Sequence, residues 1–164
     1  FAPSAGPFLM WLRPRADTGA ARELGLASMG VDSSPAAVKL ATARGGAAIL
    51  GSIFDPVPHE RGWGSALLLD GNIGIGGNIR VLLERVASLL ASDGQVLAEA
   101  EARDFLDVAY LAVLEDSDGR ASAAFPWARA GAKALAVHAA RAGLDTVATR
   151  TVQGRVFLTL ERRP

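Results

Sequence analysis

A single carboxylate stands where a short apolar stretch meets a predicted helix. Asp32 follows a predicted strand over residues 28–31, and the run Ser33, Ser34 and Pro35 then predicts a helix start. Hydroxyl side chains cap helices, and proline suits the first helical position because its missing N–H is not needed there. Two roles fit Asp32: its oxygens can accept charge-assisted hydrogen bonds from the two hydroxyls of a ribose, or they can cap the helix.

Two further carboxylates follow later predicted strands. Asp55 comes after the third strand, and Asp70, followed by Gly71 and Asn72, comes after the fourth. Ligands of open α/β sheets bind outside the carboxyl ends of the strands, so these residues and Asp32 would share one crevice. The alternative is structural: Asp55 precedes a proline, which is typical of a turn, and Asp70 begins a glycine-rich connection.

The elements that must position these side chains alternate between strand and helix. The predicted strands cover residues 8–12, 28–31, 47–50, 65–69 and 95–99, and the predicted helices cover residues 17–24, 35–44 and 78–91. A hairpin over residues 108–125, a helix over residues 127–142 and a second hairpin over residues 146–161 follow. This pattern predicts an α/β, Rossmann-like, doubly wound sheet that is mostly parallel, with an antiparallel C-terminal hairpin at its edge.

Composition narrows the class of protein. The 164 residues fit one domain, residues 1–164, in which the first hairpin is an insertion over about 106–126. Seventeen basic residues balance seventeen acidic ones, so nothing indicates a nucleic-acid partner. There is no cysteine, and His59 and His138 are far apart, so we predict no metal site.

No membrane-length apolar run or signal peptide is visible, which predicts a cytoplasmic protein without a membrane partner. Because the chain starts at Phe1, we expect N-terminal helices to precede it; the oligomeric state is left open.

Four segments in this order resemble class I S-adenosylmethionine-dependent methyltransferases. They are Gly30-Val31-Asp32-Ser33-Ser34-Pro35, Ser52-Ile53-Phe54-Asp55, Leu67-Leu68-Leu69-Asp70-Gly71-Asn72 and Leu89-Leu90-Ala91-Ser92-Asp93-Gly94. The resemblance covers residues 6–101, and the tail also resembles small bacterial members. It implies an enzyme that transfers a methyl group from S-adenosylmethionine to an acceptor, expected to be a small molecule, which the resemblance does not identify.

The resemblance also implies where the cofactor's nucleoside binds. Asp32, with Ser33 beside it, would hold the ribose hydroxyls. Asp55 would take the adenine amino group, and Ile53 or Phe54 would pack on the adenine ring.

The methyl-donating end of the cofactor would lie near the fourth strand. By the same resemblance, Asp70, Gly71 and Asn72 would border the methionine part of the cofactor and its reactive methyl group. Glu99 and Glu101, at the end of the fifth strand, are candidates for orienting the acceptor. No catalytic residue is identified, which suits a reaction with a good neutral leaving group in which a dedicated base is optional.

The chain departs from the family at the first loop. Met10 stands where the family has an acid, and the run Leu12-Arg13-Pro14-Arg15-Ala16 stands where it has glycines that let backbone approach the cofactor. Losing two or three contacts of ~1–1.5 kcal/mol each would weaken cofactor binding by roughly one to three orders of magnitude. The alternative is therefore a non-catalytic, methyltransferase-like domain that binds no cofactor and acts through protein contacts.

Three other features have competing interpretations. Glycines 74, 76 and 77 could cradle a phosphate, although they match neither Gly-x-Gly-x-x-Gly nor the P-loop pattern, or they could form a plain connection. His59 could act as a base at the mouth of the site or be a solvated loop residue. Trp127 could line a substrate pocket or anchor the last helix to the sheet.

Overall fold

The computed structural model describes residues 8–11 and 25–163. The strands are β1 (Phe8–Trp11), β2 (Ser28–Asp32), β3 (Ala47–Leu50), β4 (Trp63–Leu68), β5 (Leu90–Ala100), β6 (Asp107–Ala112), β7 (Phe125–Ala130), β8 (Leu144–Val152) and β9 (Arg155–Arg162). The helices are α1 (Pro35–Ala43), α2 (Ile79–Leu89) and α3 (Ala132–Arg141), and a 3-10 helix spans Asn72–Gly77. Seven strands form one sheet in the order β3-β2-β1-β4-β5-β9-β8, and β6 and β7 form a separate two-stranded sheet.

The large sheet is mixed. Its first five strands in the chain run parallel to one another. β9 is antiparallel to β5, and β8 is antiparallel to β9, so the last hairpin forms one edge of the sheet. The α/β class is therefore confirmed, in a sheet that combines parallel and antiparallel pairs.

The strand order reverses at β1. The chain adds β2 and β3 on one side of β1, and then β4 and β5 on the other. Right-handed crossovers in opposite directions place α1 and α2 on opposite faces of the sheet. The predicted helix over residues 17–24 and the departure from the family pattern over residues 12–16 both lie outside the described residues.

Local sequence explains where the first two helices begin. The Ser34 hydroxyl caps α1 by accepting the N–H of Ala37 at 3.3 Å, and Pro35 occupies the first turn. In α2 the Asn78 side chain accepts the N–H of Val81 at 3.2 Å. The apolar residues of α2 recur at helical spacing and are buried as one face: Ile79, Leu82, Leu83, Val86 and Leu89.

The segment after β5 differs from its prediction. The predicted helix over residues 127–142 begins only at Ala132, and Trp127 lies in β7 instead. β7 pairs with β6 in antiparallel register, with Trp127 opposite Tyr110 and Ala130 opposite Asp107. The alanine-rich composition favours helix, but pairing with β6 and packing on the 3-10 helix override that preference for residues 127–130.

A single apolar cluster connects the sheet to the helices. It includes Val31, Ala66, Leu68, Leu82, Leu83, Val86, Leu90, Val96, Leu135, Leu144, Leu158 and Leu160, all fully or almost fully buried. Both α2 and α3 contribute buried side chains to this cluster. Among the described helices, none has both the length and the apolar character needed to cross a membrane.

Candidate functional site

The three aspartates predicted from the sequence follow strands of the parallel part of the sheet. Asp32 ends β2, Asp55 lies in the loop after β3, and Asp70 lies directly beyond β4. Neighbouring strands are about 4.8 Å apart, so the row from β3 to β4 extends roughly 14 Å across the sheet. The row crosses the point where strand order reverses, which is where open α/β sheets bind ligands.

Asp32 is partly buried, and one of its oxygens is already engaged. Its Oδ1 accepts the N–H of Ser34 at 2.7 Å, which is the capping contact that the sequence allowed as an alternative. Burial raises the pKa of the Asp32 carboxyl, and the hydrogen bond from Ser34 opposes that rise. No described residue donates to Asp32 Oδ2. Ser33, beside it, is exposed.

The loop after β3 folds back on itself. Asp55 Oδ2 accepts the N–H of Ser52 at 3.0 Å, so the Asp55 carboxylate stabilises a local turn, as its structural interpretation predicts. Ile53 is 1% exposed and packs in the core, whereas Phe54 is 42% exposed. Of the two residues predicted to pack on an adenine ring, Phe54 is therefore the one that presents surface. Its ring lies against Gly76 of the loop after β4.

An arginine that the sequence did not point to holds this loop. Arg85 of α2 donates to the carbonyl oxygens of Ile53 at 2.9 Å and of Asp55 at 2.7 Å. It also donates to Glu60 Oε1 at 2.7 Å, and this bond, together with one from the N–H of Val57, holds the pKa of the Glu60 carboxyl below its ordinary value. Arg85 thus fixes the backbone that carries Phe54.

Asp70 and Gly71 form a tight left-handed turn beyond β4. Asp70 has a φ of 55° and Gly71 a φ of 83°. Glycine adopts this conformation without strain, and aspartate tolerates it better than most residues. The turn leads into the 3-10 helix, whose first residue, Asn72, is buried.

Arg155 connects this turn to the end of β5. Its Nε and Nη2 donate to the two carboxylate oxygens of Glu99 at 2.7 and 2.6 Å, and Nη2 also reaches Asp70 Oδ1 at 2.7 Å. Glu99 Oε2 in turn accepts the N–H of Asp70 at 2.6 Å. The candidate Asp70 is therefore positioned by an ion-pair network, and its Oδ2 accepts no hydrogen bond from the described residues.

A second arginine, Arg129, forms a two-pronged ion pair like that of Arg155; we call each such pair an arginine fork. Arg129 of β7 donates to both oxygens of Glu101, from Nε at 2.7 Å and from Nη2 at 2.9 Å. These bonds hold the pKa of the Glu101 carboxyl below its usual range and raise that of the guanidinium. Because both oxygens of Glu101 are engaged, its role in this structure is to fasten the β6–β7 hairpin to the end of β5.

These two networks line a cleft of about 440 Å³ beside the row of aspartates. Its walls include Asp70, Gly71, Glu99, Glu101, Tyr110, Trp127, Arg129 and Arg155. Charged side chains make up most of the polar lining, and Tyr110 and Trp127 add two aromatic surfaces. The structure thus places two neighbouring features at one edge of the sheet: the row of aspartates and this cleft.

The glycines after β4 are required by packing. A Cβ at Gly74 would lie 2.6 Å from Trp127 Nε1, and one at Gly77 would lie 2.8 Å from Pro126 Cβ. The 3-10 helix therefore approaches β7 more closely than a larger residue would allow. This contact accounts for Gly74 and Gly77 without a phosphate, in line with their mismatch to both phosphate-binding patterns.

Of the two histidines and Trp127, only the tryptophan lines the cleft. His59 stacks edge-on against Trp63, the first residue of β4, with ring centroids 6.1 Å apart. It therefore lies toward the amino ends of the strands, away from the cleft, which favours its interpretation as a loop residue. His138 contacts Asp107 at 3.0 Å and has a structural role. Trp127 does line the cleft, and it does so from β7.

Sequence reasoning missed Arg129, Arg155 and Tyr110. Arg155 is separated from Glu99 by 56 positions and from Asp70 by 85. The predicted turn at Gln153 and Gly154 indicated that the second strand of the hairpin begins at residue 155. The pairing of β9 with β5 then brings this strand start to the cleft, and the sequence gives no sign of that pairing.

The chain is similar in fold to solved structures of methyltransferases. The chain is similar to the CcbJ methyltransferase from Streptomyces caelestis, with a TM-score of 0.72 and 15% identity over 99% of this chain and 85% of that one. It is similar to a methyltransferase from Bacteroides fragilis in complex with S-adenosyl-L-homocysteine, with a TM-score of 0.75 and 18% identity over 98% and 74% of the two chains.

A third solved structure extends this comparison. It is the 1,6-didemethyltoxoflavin-N1-methyltransferase of Burkholderia thailandensis, with a TM-score of 0.66 and 17% identity over 97% of this chain and 72% of that one. It contains 1,6-didemethyltoxoflavin and S-adenosylhomocysteine. No protein-family model and no curated protein sequence matches the chain. The structural matches confirm the fold that the sequence motifs predicted.

Proposed function

We propose that this protein is an S-adenosylmethionine-dependent methyltransferase that acts on a small-molecule acceptor. The observation that carries the proposal is the row of carboxylates across the strand-order reversal, next to a cleft, in a methyltransferase fold. Two solved structures with this fold contain S-adenosylhomocysteine, the product that remains after methyl transfer. We infer further that residues 1–164 form a single domain with the β6–β7 hairpin inserted in it.

The residues present fit this cofactor. The carboxyl of Asp32, with Oδ2 available, suits one side of a ribose diol, and Ser33 lies exposed beside it. The exposed ring of Phe54 suits an adenine face, and Arg85 holds its loop in place. The Asp70–Gly71 turn then leads toward the cleft.

The cleft residues would position the acceptor. When bound, S-adenosylmethionine supplies a methyl group on a positively charged sulfur, which is an electrophile with a neutral leaving group. The protein's task is therefore chiefly to align the acceptor with that methyl group and to exclude water. Tyr110 and Trp127 form an apolar wall for this purpose, and the two arginine forks keep Asp70 and the hairpin in place.

The alternative is a domain of the same fold that binds no cofactor. Two observations on the described residues support the enzyme: none of them donates to Asp32 Oδ2, and a cleft lies at the same edge of the sheet. The alternative rests on residues 12–16, where the family's glycines are replaced.

Calorimetric titration with S-adenosylmethionine and S-adenosylhomocysteine distinguishes the two functions. We expect saturable binding that Asp32→Asn weakens by about 10- to 100-fold, since a hydrogen bond to a charged group contributes about 1.5–3 kcal/mol. Asp93→Asn is the matched control, because Asp93 is exposed near the amino end of β5. Absence of heat from either compound at millimolar concentration would establish the non-catalytic alternative.

A further inference from the structure

The two aromatic side chains of the cleft belong to one face of the β6–β7 hairpin. Tyr110 of β6 and Trp127 of β7 are directly opposed in the antiparallel register, so their side chains lie side by side on the same face. Arg129, two residues beyond Trp127, shares that face, and all three residues line the cleft. The hairpin therefore presents two adjacent ring systems to a molecule that occupies the cleft.

Trp127 is held in place by its neighbours. Its indole packs so closely on the 3-10 helix that a Cβ at Gly74 would lie 2.6 Å from Nε1. The ring of Phe125 also meets it edge-on, with ring centroids 5.8 Å apart. Tyr110, beside it, is 43% exposed. A flat ring can therefore stack on the wall of Tyr110 and Trp127, and a positively charged group can lie over an aromatic face there.

The charged side chains of the cleft carry a net negative charge. Among the described residues that line it, Asp70, Glu99 and Glu101 are carboxylates, and Arg129 and Arg155 are guanidiniums. Both guanidiniums already hold carboxylates of the cleft, in the arginine forks. An anionic ligand would have to compete with those carboxylates, whereas a cationic ligand meets one negative charge more than the arginines balance.

Asp70 differs from the other two carboxylates of the cleft. Glu101 accepts hydrogen bonds from Arg129 at both oxygens, and Glu99 accepts them from Arg155 at both oxygens. Asp70 Oδ1 accepts from Arg155 Nη2 at 2.7 Å, and no described residue donates to Asp70 Oδ2. The Asp70 side chain is 43% exposed and lines the cleft, so a ligand bound there can contact it.

We propose that the acceptor is a primary or secondary amine carried on a flat ring. The ring lies on the wall of Tyr110 and Trp127, and the amine N–H donates to Asp70 Oδ2, so that Asp70 orients the acceptor. Glu99 and Glu101, the residues that the sequence suggested for that task, instead hold the two arginines. This inference rests on the proposed methyltransferase function and names the class of its substrate.

The charge of the cleft favours nitrogen over oxygen as the accepting atom. A nitrogen bonds the methyl carbon with its lone pair and becomes positively charged, while the electron pair of the carbon–sulfur bond leaves with sulfur; the nitrogen then releases its N–H proton to the Asp70 carboxylate. An oxygen acceptor is a good nucleophile once it is deprotonated, so negative charge develops on it before the reaction. Neighbouring carboxylates stabilise the positive charge and oppose the negative one.

Calorimetric titration with three probes of one shape tests the acceptor class. Tryptamine, tryptophol and indole-3-propionate share an indole ring and an alkyl chain of the same length, and at neutral pH they are a cation, a neutral molecule and an anion. The protein is first saturated with S-adenosylhomocysteine, whose own heat of binding tests the cofactor site separately. We expect tryptamine to bind about 10-fold more tightly than indole-3-propionate, with tryptophol between them. The difference should shrink as the salt concentration rises.

Asp70→Asn tests the oxygen assigned to the amine. Asparagine tolerates the left-handed backbone of residue 70 and keeps an oxygen for Arg155, but it removes the charge. Tryptamine should bind about 5- to 10-fold more weakly, and tryptophol should change little. Asp145→Asn is the matched control, because Asp145 is also about half exposed and paired with one arginine, Arg163. Its neighbour on β9, Glu161, lies roughly 20 Å along that strand from Arg155, so all three affinities should stay unchanged.

Tyr110→Ala tests the wall on which the ring lies. It should weaken the binding of all three probes by about 2- to 10-fold, and melting temperatures verify that each variant folds. Suppose that S-adenosylhomocysteine binds. Tryptamine bound no more tightly than indole-3-propionate, equal losses for Asp70→Asn and Asp145→Asn, or no effect of Tyr110→Ala on tryptamine would then overturn the amine assignment and leave the proposed function in place. Absence of S-adenosylhomocysteine binding would overturn both.

Discussion

Arg155 and Glu99 form a two-pronged ion pair, with N–O distances of 2.7 and 2.6 Å, between the start of β9 and the end of β5. The pair does more than join two strands, because Arg155 Nη2 also holds Asp70 at 2.7 Å in the turn beyond β4. The candidate site is therefore connected to the C-terminal hairpin, which the sequence places far away.

Replacing Arg155 by lysine should lower the free energy of unfolding by about 1 kcal/mol. Lysine retains the charge but cannot donate the parallel hydrogen bonds of the guanidinium. The effect stays modest because Arg155 is about half exposed, so water screens the pair. Urea denaturation measures it. Arg163→Lys, which alters a similar fork to the exposed Asp145 on the same hairpin, should have a smaller effect; an equal loss would show that Arg155 has no special structural role.

The fork between Arg129 and Glu101 should make the hairpin's stability depend on pH. The folded-state pKa of Glu101 lies below its usual value of about 4.5, chiefly because Arg129 donates to it. The stabilisation is therefore complete above that usual value, and it is lost as pH falls through the lowered folded-state pKa. Glu101→Gln should reduce the free energy of unfolding at neutral pH and should match the natural chain in strong acid.

The same substitution in an Arg129→Met background is the control for this pH dependence. Without the guanidinium, Glu101 loses the hydrogen bonds that lower its pKa. Glu101→Gln should then have a small effect that changes little with pH. A pH-independent difference between the natural chain and Glu101→Gln in urea titrations would contradict the assignment.

Gly74→Ala should destabilise the fold by about 1–3 kcal/mol, the range for overpacking a tightly packed site. The new Cβ would lie 2.6 Å from Trp127 Nε1, so the 3-10 helix and β7 must separate. A shift in tryptophan fluorescence should accompany the loss. Gly51→Ala is the control: among the described residues its Cβ would meet only Asp55 Oδ2, at an ordinary 3.9 Å, and stability should change by less than about 1 kcal/mol. Equal effects would exclude close packing as the reason for Gly74.

Local signals in the sequence predicted much of the fold. The Ser34–Pro35 start and the apolar periodicity of α2 depend on neighbours within a few residues, and both helices begin within one residue of prediction. The prediction of helix for residues 127–130 was wrong. Alanine favours helix, but these residues form a strand because they pair with β6 and lie close to Gly74.

In the candidate site, the positions of the aspartates could be predicted from the sequence, and the roles of the arginines could not. The positions of Asp32 and Asp70 follow from strand ends, which short apolar runs indicate. The roles of Arg85, Arg129 and Arg155 do not, because their partners are set by how distant elements pack. Arginine on a solvated face and arginine in an ion-pair network look alike in a single sequence.

Acid should weaken the binding of S-adenosylhomocysteine through Asp32. Burial raises the pKa of Asp32 above its ordinary value, so this carboxylate becomes protonated at a higher pH than an ordinary aspartate does. The protonated form loses charge-assisted acceptance of a ribose hydroxyl, and affinity should therefore fall as pH decreases through the raised pKa. Calorimetric titrations from neutral to mildly acidic pH measure this decrease, and Asp32→Asn should bind weakly with a flatter profile. If affinity in the natural chain stayed constant or rose on acidification, Asp32 would not be the residue that holds the ribose.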